Sequence, residues 1–367
     1  TADTDNNAAL SITITDNSAS AADLNTINAT TTLAVDATAI ATISASTLGA
    51  ISTLGGAITG GQFAATNAIA TINVSGDAID YTTLGSEIDR FDDFRTDPAI
   101  ATFVLADTTT VTLGSQTEVD NFLADVTANL VSVSGASQAV TVTAAPGGVD
   151  ISHTDAIALA AAAGGTVTAT IVSGTTVDQL KTLYDAGETN AYTITIDNAD
   201  ATGSTAAEFN TINSATSVAI NAAAVTSLSG TASDIATLMS AATDAEQFTG
   251  ASFDSVAANG LSITGTAIDV TDLNNALSRT TAVSNNTVLA TFASAQGDIT
   301  VSGGTATEFD SLLALEGTNV NITGLNLTVD GSTVSVTQAN NLTATTSGTV
   351  TATLTSGAVA DLTDLTA

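Results

Sequence analysis

The feature that most constrains this chain is a short run that recurs along it. Its clearest copy is Gly203-Ser204-Thr205-Ala206-Ala207-Glu208-Phe209-Asn210-Thr211-Ile212-Asn213, followed by Ser217-Val218-Ala219-Ile220. Thr205 with Glu208 three residues on is a capping box. The hydroxyl accepts from the Glu208 amide, and the carboxylate reaches back to the cap amide. Phe209 and Ile212, one helical turn apart, give the short helix an apolar face. A Gly and an alternating run lie upstream, so the unit reads as strand, Gly, capped short helix, strand.

The unit returns along the chain. Ser or Thr with an acid or Gln three residues on stands at Ser20/Asp23, Ser115/Glu118, Ser152/Asp155, Thr175/Asp178, Thr231/Asp234, Thr266/Asp269, Thr305/Glu308 and Ser335/Gln338. Weaker copies stand at Asp77/Asp80 and Ala358/Asp361, with a degenerate one near Thr47. A single box means little in a chain rich in Ser and Thr; so many after Gly-ended alternating runs mean a repeat.

A longer period lies above the short one. Gly165-Thr166-Val167-Thr168-Ala169-Thr170 returns as Gly348-Thr349-Val350-Thr351-Ala352-Thr353, and Ala22-Asp23-Leu24-Asn25-Thr26-Ile27-Asn28 returns as Ala207-Glu208-Phe209-Asn210-Thr211-Ile212-Asn213. The expected fold is an α/β or mainly-β solenoid of tandem strand–capped short helix–strand units, in two pseudo-repeats of about six units of roughly 25–40 residues. Residues 1–183 would form the first half and 184–367 the second, as one continuous array open at both ends.

The phase of the repeat suggests assembly. The unit that starts at Ser356-Gly357-Ala358-Val359-Ala360-Asp361-Leu362 stops before its second strand. In the internal copy, Val177-Asp178-Gln179-Leu180 leads on to Tyr192-Thr193-Ile194-Thr195-Ile196, and the counterpart of that strand is Leu10-Ser11-Ile12-Thr13-Ile14. Joining the last residues of one copy to the first of the next would complete a unit. Uncapped repeat ends of this kind are sticky. Leu10, Ile12 and Ile14 are expected on one side of that joint, and Val359, Leu362 and Leu365 on the other.

Charge limits the partners. The chain has 4 Lys and Arg against 37 Asp and Glu, a formal charge of −33. Phosphate binding needs cations, which argues against nucleic acid or anionic lipid. Close assembly of such subunits should need salt or cations to screen the carboxylates. There is no cysteine, hence no disulfide, thiolate metal site or cysteine nucleophile. No run is long and apolar enough for a membrane span. With Thr1 first and no signal segment, the chain reads as a processed or excised section of something longer.

Few residues invite chemistry. His153 lies in Ser152-His153-Thr154-Asp155, but adjacent residues do not present a catalytic triad, and an ordinary residue beside a helix cap is expected. No phosphate loop or paired catalytic acids occur, so no enzymatic activity is expected. Asp3, Asp5 and Asn7 place oxygen ligands at alternate positions, which suits a hard cation such as Ca2+. The run fails as an EF-hand, because Ala8 replaces the turn Gly and Ile14 the bidentate Glu. Asp16-Asn17 and Asp197-Asn198-Ala199-Asp200 are acidic turns at matching places. The expectation is weak calcium binding at Asp3, Asp5, Asn7, Asp16, Asp197 and Asp200, with plain polar turns as the competing reading. Arg90 and Arg95 lie in the only dense charge cluster; they form either local ion pairs on a solvated helix or a contact with a neighbour's carboxylates. The sequons at Asn28, Asn73, Asn285, Asn321, Asn326 and Asn341 are what chance yields in a chain this rich in Asn, Ser and Thr.

The segments Gly165 to Leu180, Ser204 to Leu228, Gly230 to Met239 and Thr333 to Leu354 resemble repeat regions of very large secreted bacterial proteins, often cyanobacterial, of the haemolysin-like, calcium-binding, adhesin or surface-layer kind. The resemblance implies export, calcium-rich surroundings and a place at the cell surface or in an extracellular assembly. The Gly-Gly-x-Gly-x-Asp nonapeptides of that family are absent, so calcium-roll structure is not implied. The expected function is therefore structural: a protomer or repeated section of an extracellular filament, sheath or surface layer, with itself as head-to-tail partner. The alternative is an adhesin stalk or a module binding extracellular glycans.

Overall fold

The structure, a computed structural model, describes residues 9–64, 69–76, 78–93, 101–106, 109–133, 138–142, 150–184, 189–197, 204–225, 227–244, 248–249, 260–277, 290–357 and 362–365. It is an α/β protein with 11 helices among the described residues, and each pair of strands whose register is defined runs parallel. The chain forms two compact units, Thr1–Ile171 with Asn190–Tyr192, and Val172–Thr189 with Thr193–Ala367.

The first unit holds helices α1 (Ala21–Asn28), α2 (Leu48–Thr59), α3 (Tyr81–Asp93), α4 (Gln116–Thr127) and α5 (His153–Ala163). One sheet runs in the order Ser18–Ser20, Thr42–Thr47, Thr71–Ser75, Thr102–Leu105, Val131–Val133. A second runs Ala78–Asp80, Thr110–Leu113, Gln138–Val142, Gly164–Ile171, with Asp150–Ile151 also on the last strand. Each strand pairs with one beyond an intervening helix, the crossover that parallel pairing requires. Register stacks like residues on like: Ile43 on Ile72 on Phe103 on Val131, and Ile79 on Val111 on Val140 on Val167. Each of these is buried. The alternation of Thr with Val, Ile or Phe is what builds such columns, one face inward and the hydroxyls outward.

The second unit holds α6 (Val177–Leu180), α7 (Ala206–Ser214), α8 (Ala232–Asp244), α9 (Val270–Ala276), α10 (Ala306–Leu313) and α11 (Val336–Thr345). Its largest sheet runs Ala267–Asp269, Thr300–Gly304, Asn326–Val334, Val350–Leu354. Here too the register stacks a column, Ile268 on Val301 on Leu327 on Val350.

Caps formed much as the sequence suggested. The Ser20, Ser115 and Ser152 hydroxyls accept from the amides of Asp23, Glu118 and Asp155 at 3.0–3.2 Å. Thr205, Thr305 and Ser335 close full capping boxes with Glu208, Glu308 and Gln338. Three caps differ. At the tandem Thr175-Thr176 the box uses Thr176 with Gln179, which turns Val177 and Leu180 into the core, while the Thr175 hydroxyl donates to the Val172 carbonyl at 2.7 Å. At the two Ala-Ile-Asp strands, Ala78–Asp80 and Ala267–Asp269, the chain passes directly from strand to helix. The carboxylates of Asp80 and Asp269 themselves accept the first helical amides, at 2.8 Å from Thr82 and Thr271, so the cap is Asp269 rather than Thr266, while Asp77 lies outside the described residues.

Neighbouring helices are tied by rungs. Asn25 Nδ2 donates to the Ala50 carbonyl, Asn210 to Asp234 and Asn274 to Glu308, each at 2.9 Å. From α11, Asn340 donates in the same way to the Asp364 carbonyl, in a turn, at 2.8 Å. Side-chain rungs join Gln116 to Asp155 at 3.0 Å and Gln338 to Asp310 at 2.8 Å.

The expected α/β or mainly-β solenoid did not form. A solenoid stacks every unit on one continuous ladder. Here the ladder is broken into separate parallel sheets of two to six strands, and no closed solenoid is present among the described residues. The helices carry much of the chain, up to 13 residues in α3 and α8, and several strands span only two residues. The architecture is that of a parallel α/β protein.

Candidate functional site: two sheet edges

Two edges turn main-chain groups and apolar side chains outward, a strand in the second unit and an extended segment with a single bridge in the first. In the second unit Val350–Leu354 pairs with Asn326–Val334, and among the described residues no strand pairs with its other side. Leu327 N–H donates to the Thr349 carbonyl at 2.9 Å and Thr355 N–H to the Val334 carbonyl at 2.8 Å. Main-chain groups alternate in direction along a strand, so those of Val350, Ala352 and Leu354 point to the free side. Their side chains are only half-buried, although the rest of their column, Ile268, Val301 and Leu327, is buried. Just beyond, Leu362 and Leu365 are exposed, Leu365 at 43 %.

In the first unit the edge is residues 10–14. The Ile14 N–H donates to the Asp36 carbonyl at 2.8 Å, and the Asp36 N–H to the Ile12 carbonyl at 2.9 Å. Thr31 Oγ1 accepts from the Leu10 N–H at 3.1 Å and donates to the Leu10 carbonyl at 2.6 Å. The even-numbered backbone groups are thus satisfied within the unit, and those of Ala9, Ser11 and Thr13 face outward. Leu10 is 53 % exposed, and nearby Leu33, whose N–H also binds the Thr31 hydroxyl, is exposed as well. Ile12 is half-buried and Ile14 is buried against its own unit.

The internal run Val167-Thr168-Ala169-Thr170-Ile171 nearly repeats Val350-Thr351-Ala352-Thr353-Leu354, yet its surroundings differ. It pairs with Gln138–Val142 and Asp150–Ile151, and also carries the strand that begins at Ala191. The Val167 N–H donates to Asn190 Oδ1 at 2.8 Å, and the buried Tyr192 donates its hydroxyl to the Ala156 carbonyl of α5 at 3.2 Å. Val167, Ala169 and Ile171 are all buried. The same apolar residues are covered in one place and open in the other.

Of the other expected residues, Asp16 and Asp197 are not gathered with further acids; no group of three or more His, Asp or Glu is placed to hold a metal ion among the described residues. Asp3, Asp5, Asn7, Asp200, Arg95 and Val359 lie outside the described residues. Arg90 is committed inside its own unit. Its Nη1 donates to Glu87 Oε2 at 2.9 Å and to the Ser52 carbonyl of α2 at 3.1 Å. Glu87 is 2 % exposed, so this cation answers a buried carboxylate rather than a neighbour's. Gly55 of α2 makes room for the pair, since a Cβ there would stand 2.9 Å from Arg90 Cδ. The Ser152 hydroxyl donates directly to Asp155 Oδ2 at 2.8 Å, within a cap that does not use His153.

One contact escaped the sequence. Tyr81 at the start of α3 donates a very short hydrogen bond to Asp125 Oδ2 on α4, lining a cleft of about 330 Å³ with Thr82, Asp89 and Glu118. Burial raises the Tyr81 hydroxyl well above its ordinary pKa, and the Asp125 carboxylate adds to this. Burial also raises Asp125, with Asp89 adding and the Tyr81 bond opposing. Glu118 is held by the Thr82 hydroxyl at 2.8 Å and the Gly114 N–H at 2.6 Å, so the cleft's polar groups are largely spent on joining two helices.

No described helix is long and apolar enough to cross a membrane. No family model matches the chain, and neither a curated protein nor a solved structure matches it.

Proposed function

We propose that this chain is a structural, self-associating extracellular protein, a protomer or section of a filament, sheath or surface layer. Strand addition at open sheet edges joins one copy to the next, head to tail. The observation that carries this reading is the free side of Val350–Leu354, where apolar side chains and main-chain groups stand ready for a further strand. A contact between unlike surfaces need not close into a ring, so it propagates. The charge of −33 makes each joint repulsive, and screening by salt or millimolar Ca2+ favours growth.

Negative-stain microscopy and sedimentation of residues 1–367, with and without calcium, test the proposal beside Ala352→Pro. That substitution removes a donor on the free side and leaves the ladder to Asn326–Val334 intact. Filaments or sheets from the parent and single particles from the variant are expected. Single particles from the parent in every condition would sink the proposal and favour an adhesin stalk or glycan-binding module.

A further inference from the structure

We infer that the contact between copies reproduces a pairing found inside the first unit, that of Gly164–Ile171 with Asn190–Tyr192: the free side of Val350–Leu354 receives the segment beginning at Ala9 from a second copy of this chain. This rests on the self-association proposed above and specifies its partner. The internal strand Gly164–Ile171 is followed by α6 and then receives Asn190, Ala191 and Tyr192. Its near-duplicate Val350–Leu354 has no such strand among the described residues.

The occupant follows from two matches. Tyr192-Thr193-Ile194-Thr195-Ile196 and Leu10-Ser11-Ile12-Thr13-Ile14 share a pattern, and both make the same onward contacts. Ile196 N–H donates to the Asn221 carbonyl and Asn221 N–H to the Ile194 carbonyl, each at 2.9 Å, as Ile14, Asp36 and Ile12 do. The single bridges Thr195 to Asn221 and Thr13 to Asp36 are likewise parallel. What differs is cover: Tyr192 and Ile194 are fully buried, whereas Leu10 is 53 % exposed and Ile12 half-buried. The outward main-chain groups of Ala9 and Ser11 meet those of Val350, Ala352 and Leu354.

That pairing also assigns a position to Leu10. Tyr192 donates to Ala156, the fourth residue after the cap Ser152; the fourth residue after the cap Ser335 is Ala339 on α11. Leu10 of one copy therefore packs beside Ala339 of the next, whose carbonyl already accepts from the Thr343 hydroxyl at 3.1 Å, so an apolar side chain suits the place.

The test measures the concentration at which the full chain assembles, by sedimentation, for the parent and Leu10→Asp. A second arm adds a synthetic peptide with the sequence of residues 189–197, which matches the internal strand. Leu10→Asp abolishes assembly, and the peptide blocks growth of the parent. Normal assembly of Leu10→Asp in the presence of peptide would overturn this joint and leave self-association standing. Peptide binding by a parent that never assembles would overturn the second copy as occupant, and with it the function proposed above.

Discussion

Helices α3 and α9 start alike and finish differently. Each follows an Ala-Ile-Asp strand, and each is capped by that strand's Asp. Each sends a Thr hydroxyl to a Glu on the next helix, Thr82 to Glu118 and Thr271 to Glu308, both at 2.8 Å. Beyond this common frame, α3 runs 13 residues and buries charge and a phenol, with Glu87 paired to Arg90 and Tyr81 to Asp125. By contrast α9 runs 7 residues, has the fully buried Val270 where α3 has Tyr81, and adds to its Thr271 contact a rung from Asn274. The strand and cap set where a helix begins. What the helix does next is decided by which residues face its neighbour.

The contrast is broken most severely at the ion pair. Arg90→Met leaves Glu87 buried without its cation and should cost on the order of 3 kcal/mol in urea unfolding. The double variant Glu87→Met/Arg90→Met should recover most of that loss; if the single variant melts like the parent, the pair carries no weight. Tyr81→Phe should cost about 1.5 kcal/mol, because Asp125 loses its donor in a half-buried site. Asn274→Ala should cost less, about 0.5–1 kcal/mol, since the Glu308 carbonyl is left without its Asn274 donor on a part-buried helix face. An α9 rung as costly as the α3 pair would erase the distinction.

The subtlest test uses pH, because the two regions respond with opposite sign. Burial raises Asp125 above the ordinary 3.8, so its protonated form suits the fold. Its contribution is full below pH 3.8 and is lost as pH rises through the folded value. Glu308 is lowered from 4.5 by the Thr305 amide first, then by the Thr271 and Thr305 hydroxyls. Its contribution is full above pH 4.5 and is lost as pH falls through the folded value. Melting curves across this range should lose their alkaline fall in Asp125→Asn and part of their acid fall in Glu308→Gln. The reverse assignment would show that the helix seams do not govern the pH response.

The sequence was most legible where the physics is local. A capping box lies within four residues, so Ser20, Thr205, Thr305 and Ser335 could be found directly. Two adjacent threonines hid the cap at Thr176, because the choice was made by the burial of Val177 and Leu180. Contacts such as Tyr81 with Asp125 or Arg90 with Ser52 join residues far apart in sequence and leave no local mark. The phase of the repeat singled out Leu10, Leu362 and Leu365, which are exposed, and did not single out Val350, Ala352 and Leu354. The repeat of Val167 to Thr170 pointed to them, but pairing on one side only is a property of the sheet. Solenoid order was expected because a repeat in sequence says which pieces recur, not whether their ladders join.

The asparagine rungs have a consequence for how such a chain can change. Asn25, Asn210 and Asn274 each read a main-chain oxygen on the following helix, and Asn340 reads one in the turn at Asp364. A carbonyl is present whatever residue bears it, so the receiving helix is told where to sit and not what to be. A segment copied, lost or replaced downstream keeps its place so long as the asparagine upstream survives. The rungs Gln116 to Asp155 and Gln338 to Asp310 bind side chain to side chain and fix both partners together. Drift should therefore run freely on helices reached by asparagine and in matched pairs on those reached by glutamine.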